Sequence, residues 1–213
     1  EGGLFAKGEA GFAPEKDFRT KPAEPVDEGK PMSRSGLAKF LSEKFDIPLR
    51  VGRFRNALGI FKVGPEVIRT RFAHDIEVIA HEIGHALHKY LWPGARTGSG
   101  GLAAGPLRAF QDELIPIATK PRAGGSKNAE GFAEFIRRYV VNPDEAKRVA
   151  PKFYKFFEEQ LDAKSPDSKA ILLKARADYK RWLEQPALAR VMGSINQTPA
   201  TGAALSFKKL YAN

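Results

Sequence analysis

From residue 33 onward, apolar residues recur every three to four positions in some stretches, and short runs of β-branched and aromatic residues lie between them. Ser33 to Phe45 carries Leu37, Phe40, Leu41 and Phe45 at helical spacing, which predicts an amphipathic helix. Three extended segments follow: IPLRVGRF (47–54), ALGIFKV (57–63) and EVIRTRF (66–72). Gly64-Pro65 marks a turn between the last two, and together they predict a small, mostly antiparallel sheet. His74 to Leu91 reads as a strong helix, with Asp75 at its start and Pro93-Gly94 at its end. Residues 93–106, which contain GARTGSGG, read as loop, and Leu107 to Ile115 as a short helix. A second loop, PRAGGSKN (121–128), leads into a helix from Ala129 to Val141 that stops at Asn142-Pro143. Helical patterns then cover 143–163, with Phe153, Phe156, Phe157 and Leu161, and 166–184, with Ile171, Leu172, Ala175 and Trp182.

The ends are different. Residues 1–31 are rich in Gly, Pro, Lys and Glu without sustained periodicity, and read as a flexible arm or linker. Residues 197–213 read as a weakly patterned tail, which leaves 32–196 as one α+β domain.

Composition narrows the chemistry. The chain has no cysteine, so disulfides and thiolate ligands are excluded, and any bound metal must be held by His, Asp or Glu. Its four histidines all lie between positions 74 and 88. No apolar run approaches the roughly 20 residues of a membrane span, so a membrane is not an expected partner. The first residue is Glu and no signal-peptide pattern follows, which suggests a piece of a longer protein. The net charge of +10 suggests an anionic partner. Nucleic acid enters only as a secondary partner, because no recognition motif accompanies the charge.

Within the helix at 74–91 lies HEIGH, residues 81–85. Helix positions four apart lie about 40° apart in azimuth and one turn apart along the axis, so His81 and His85 aim at one point. Glu82 lies about 100° around and can reach a bound water without ligating the metal. The surrounding positions (Val78, Ile79, Ala80, Ile83, Ala86, Leu87) are apolar, so the three polar groups belong to a buried helix. Burial without partners costs several kcal/mol, and a metal removes that cost. Gly84 lets another backbone or a ligand come close.

A zinc hydrolase needs a third protein ligand. His88 shares the ligand face but lies about 10 Å along the axis from His81, and His74 is similarly distant at the helix entrance. NAEGFAEFIRRY (128–139) offers a better candidate, a helix with Glu130 and Glu134 on one face. Glu130 as ligand and Glu134 as acceptor for a ligating imidazole N–H would satisfy both.

HExxH followed by a glutamate-bearing helix resembles the gluzincin metallopeptidases, in which the third ligand sits in an E-x-x-[AS]-D segment. Glu130-Gly131-Phe132-Ala133-Glu134 is similar, with Glu in place of the final Asp. HEIGH, then Tyr90, NAEGFAEF and PDEAKRVAPKFYKFF look most like the lethal-factor family of catalytic domains and the metallopeptidase domains of large phage polyvalent proteins. The likeness covers roughly residues 55–160 and is specific in the two helices. It implies a zincin-like α+β fold with a small N-terminal sheet, an active-site helix and a helical C-terminal part. It also implies Zn²⁺ held by His81, His85 and Glu130, Glu82 as general base, Glu134 behind the ligands, and a protein or peptide substrate. With no signal peptide or transmembrane segment in the chain, a cytoplasmic or virion-associated setting is expected in preference to a secreted one.

The family's catalytic tyrosine falls at Ala123 here, so oxyanion stabilisation must come from elsewhere. Tyr90 and Tyr139 lie about 180° around their helices from His81 and Glu130 and should face away from the metal. His74 and Arg122, with Ser126 and Lys127, are the candidates for that role. One of the extended segments before the helix, EVIRTRF foremost, is expected to pair with an extended substrate, its Arg69 and Arg71 then favouring acidic side chains, and the Gly-rich loop 94–106 is expected to act as a lid.

Overall fold

The computed structural model describes residues 33–52, 58–62, 65–72, 74–93, 105–119 and 126–195. The arm (1–31), the tail (197–213), most of the expected lid, Arg122 and Ala123 lie outside the described residues. What is described is α+β: a three-stranded mixed sheet near the N-terminus, followed by a mostly helical part.

The first helix, α1 (Arg34–Lys44), starts where the Ser33 hydroxyl accepts a hydrogen bond from the Gly36 N–H at 2.9 Å, and it buries Leu37, Ala38 and Leu41. Strands β1 (Leu49–Val51), β2 (Gly59–Lys62) and β3 (Val67–Thr70) follow. Their spatial order is β1-β3-β2. The expectation of a mostly antiparallel sheet is corrected: β2 pairs antiparallel with β3, but β1 pairs parallel with it. The hairpin turn at Pro65 consumes one edge of β3, and β1 occupies the other edge running in the same direction. Strand alternation records which residues face the core and carries no information about this order.

Helix α2 (Ile76–Leu91) is capped by Asp75, whose carboxylate accepts from the Val78 N–H at 3.3 Å. His74, just before the cap, sits in the left-handed region at φ 59°. A 3-10 turn (Gly105–Phe110), α3 (Gln111–Leu114) and a second 3-10 turn (Ile115–Ile117) occupy the region where one short helix was expected. Helix α4 (Lys127–Val141) ends at Asn142, whose side chain caps α5 (Pro143–Val149) through the Glu145 N–H. Helix α6 (Pro151–Lys164) begins at Pro151, which splits the helix expected over 143–163 because proline has no N–H to continue the ladder. Helices α7 (Pro166–Glu184) and α8 (Ala187–Ile195) complete the described part, α8 being a helix for which no expectation was drawn. Among the described residues, no helix is long and apolar enough to cross a membrane.

The core runs continuously from α1 through α2, α4, α6 and α7. Phe132, Phe135, Tyr139, Phe153 and Phe157 form its aromatic centre, meeting mostly edge to face. The most extensive packing between two elements joins α2 to α4. A Cβ at Gly84 would lie 2.7 Å from the Ala133 Cα, so the backbone of α4 fills the space that a side chain at position 84 would need. That crossing sets the two helices bearing the candidate ligands against each other.

Candidate metal centre

His81 and His85 stand one turn apart on α2, their rings edge to face with centroids 5.0 Å apart. Glu130, from the first turn of α4, reaches between them. Its Oε2 lies 3.5 Å from His81 Nε2 and 3.7 Å from His85 Nε2. One donor atom from each of the three residues falls within 4.8 Å of the others. Two ligands about 2.1 Å from a tetrahedral zinc stand roughly 3.4 Å apart, so the Nε2–Oε2 separations match what a zinc ion requires. The three side chains are largely buried but keep some exposure, so the group can be approached from outside.

The other ring nitrogen of His81 is already committed. Nδ1 lies 3.0 Å from Glu134 Oε1, which holds the tautomer that leaves Nε2 facing Glu130 and His85. Glu134 is held in turn by Arg137 Nε at 3.0 Å and Arg138 Nη1 at 2.7 Å, both donating to Oε2. Arg137 also donates to Glu77 at 2.8 Å, which ties the start of α2 to α4. Glu130 accepts from the Thr119 hydroxyl at 2.9 Å. The bonds from Arg137, Arg138 and Thr119 were not foreseen. The i+3 and i+4 spacing of the arginines from Glu134 was a legible signal, whereas Thr119 comes from the separate segment after α3 and had none.

The electrostatics suit a cation. Burial pulls the His81 pKa down, but hydrogen bonds to Glu130 and Glu134 and the charge of Glu82 overcome it and raise the pKa to about 9. Burial raises the Glu134 carboxyl, yet His81 and Arg137 outweigh it and bring it down to about 2. Glu130 is likewise lowered, burial being outweighed by His81, His85 and Thr119. Positive charge is therefore favoured where the imidazoles face Glu130, and a divalent ion would take the place of the His81 proton.

Glu82 is buried, and it abuts the sheet. A Cβ built on Gly59 of β2 would lie 2.6 Å from Glu82 Oε1 and would collide with Val78 Cγ1. The general-base candidate is thus seated against the strand nearest α2 through a glycine that sequence reasoning passed over.

The remaining candidates lie elsewhere. His88 is fully buried, edge to face with Trp92 and Phe132, with centroids at 5.6 and 5.8 Å, and neither ring nitrogen has a hydrogen-bond partner. His74 is exposed and outside the metal group. Tyr90 donates to Glu66 at 2.8 Å and Tyr139 donates to Glu158. Tyr154 packs on Phe135 and Tyr139, and Tyr179 stacks on Trp182. Each tyrosine among the described residues therefore makes a contact outside the metal group. The expectation that EVIRTRF receives a substrate strand is also corrected: β3 is the central strand and both of its edges are already paired.

No protein-family profile, curated protein or solved structure matches the chain.

Proposed function

We propose that the protein is a zinc-dependent endopeptidase in which His81, His85 and Glu130 hold the metal and Glu82 is the general base. The observation that carries this reading is the convergence of His81 Nε2, His85 Nε2 and Glu130 Oε2 from two helices, with His81 Nδ1 already satisfied by Glu134. When bound, zinc supplies a Lewis acid that polarises a carbonyl and acidifies water at neutral pH. Glu82 accepts the proton of the attacking water and delivers it to the leaving amine, a shuttle for which its seat one residue after His81 suits it. Glu134 and its two arginines keep the His81 ring in register, and Thr119 does the same for Glu130. An extended peptide is received along β2, which pairs with β3 on one side and reaches Glu82 through Gly59.

A second reading has its own observation. With Ala123 where the family has tyrosine, and the described tyrosines engaged elsewhere, the same centre suits a zinc-stabilised binding or assembly module that does not hydrolyse peptides. Elemental mass spectrometry on the purified protein tests the metal directly. About one zinc per chain is expected in the wild type, with a sharp loss in His81→Ala and Glu130→Gln. A peptide-library digest then separates the readings. The peptidase cuts, and Glu82→Gln keeps its zinc but stops cutting. The inert module shows zinc without cleavage. A wild type that takes up no zinc on reconstitution rejects both.

A further inference from the structure

Thr70 of β3 is fully buried, and its hydroxyl has no hydrogen-bond partner among the described residues. Burying a hydroxyl without a partner costs free energy. Valine has nearly the same shape, lacks that cost and suits a strand at least as well. Packing and strand propensity therefore disfavour threonine here. Such departures from local consistency concentrate where a residue serves something besides stability.

The register shows where this hydroxyl stands. Thr70 is flanked by Gly59 of β2 and Val51 of β1, and neither side chain can bond to it. Residues directly opposite one another on adjacent strands point to the same face of the sheet. A Cβ on Gly59 would point into α2, against Val78 and 2.6 Å from Glu82 Oε1. The Thr70 side chain therefore points to α2 as well. Cβ atoms of opposed residues stand about 5 Å apart, which puts the Glu82 carboxylate a side-chain rotation away from Thr70. Gly59 carries no side chain to stand between them. Threonine is stiff at χ1, whereas glutamate turns about three bonds, so Glu82 is the partner that moves.

We propose, resting on the peptidase reading, that Thr70 is a positioning residue for Glu82: its hydroxyl donates to one carboxylate oxygen and leaves the other to face the attacking water. A carboxylate only accepts and a hydroxyl is a neutral donor, so this bond orients Glu82 without removing its charge. Both residues are buried, and a hydrogen bond in such surroundings is stronger than one exposed to water. A general base must stand within hydrogen-bond reach of the proton it takes, so the direction of its carboxylate bears on the rate. Thr70 acts through Glu82 and does not itself touch the substrate.

The test compares the zinc-loaded wild type with Thr70→Val and Thr70→Ser, using a peptide cut in the library digest. Thr70→Val keeps the shape and loses the hydroxyl. It is expected to hold about one zinc per chain and to lower kcat about tenfold with KM nearly unchanged. Thr70→Ser keeps the hydroxyl and is expected to recover most of kcat, which repair of packing alone does not predict because serine is the smaller residue. A crystal structure of the zinc-loaded wild type is expected to place Thr70 Oγ1 about 2.8 Å from a Glu82 carboxylate oxygen. Unchanged kcat in Thr70→Val, a Thr70→Ser as slow as Thr70→Val, or a Thr70 hydroxyl bonded elsewhere in that crystal overturns the role of Thr70 and leaves the peptidase reading standing. A wild type that takes up no zinc or cuts no peptide is a different result: it rejects the peptidase reading, and the role of Thr70 with it.

Discussion

A methyl group at position 59 has no room: Val78 Cγ1 and Glu82 Oε1 both lie well inside contact distance of where it would stand. Gly59→Ala therefore pushes the Glu82 carboxylate off β2 while leaving His81, His85 and Glu130 in place. Zinc content should stay near one per chain, peptide cleavage should fall at least about tenfold, and stability should drop by about 1–3 kcal/mol from overpacking. Unchanged turnover in this variant would show that the seat of Glu82 is irrelevant to hydrolysis. His88 poses the opposite problem, a titratable ring in an apolar box. Burial pushes its pKa down from 6.5 to about 4. Between those values the unfolded chain binds a proton that the folded chain refuses, so this contribution to stability is complete above pH 6.5 and is lost as pH falls toward 4. From pH 7 to 5 the loss is about 2 kcal/mol, and His88→Leu should remove it, as read from urea midpoints at the two pH values. At this scale His81 and His85 were legible because helical spacing is local. Gly59 and Thr119 were not, because their importance arises only when distant segments meet.

The helices were legible to within a few residues where an apolar stripe ran between recognisable caps, as in α1, α2, α4 and α7. They failed where a single residue overrode the period. Pro151 interrupts an otherwise continuous pattern, and Ala150 takes φ −142° between α5 and α6. The sheet was legible as three strands but not as an order, since alternation reports faces and not neighbours. That gap has a functional consequence. It put β3, whose edges are both occupied, foremost among the segments expected to receive a substrate, when the strand that touches Glu82 is β2. The pairing of α2 with α4 was foreseeable from their complementary chemistry, two imidazoles on one helix and two carboxylates on the other. What sequence did not provide was the mechanism of the close approach, Gly84 lying against the backbone at Ala133.

Across the whole molecule, the candidate metal group lies beside one continuous apolar core. The aromatic centre of α4 and α6 and the packing of α1 and α7 form one continuous apolar cluster. The polar supports of the site, Glu134 with Arg137 and Arg138, bond directly to one another. This differs from small zinc modules, in which metal binding supplies the folding free energy itself. Chelation should therefore loosen the protein without unfolding it. A ligand present at a hundred times its Kd contributes about 2.7 kcal/mol to the folded state. For a chain of this size that corresponds to a fall in Tm of about 5–10 °C when zinc is removed. Circular dichroism should show the helical signal intact at 25 °C after chelation and a cooperative transition at the lower temperature, with re-addition of zinc restoring the higher one. Loss of the helical signal at 25 °C would instead make the metal part of the core. Because His81→Ala removes a proposed ligand, its Tm should not respond to zinc or chelator, which would tie the shift to the site between α2 and α4.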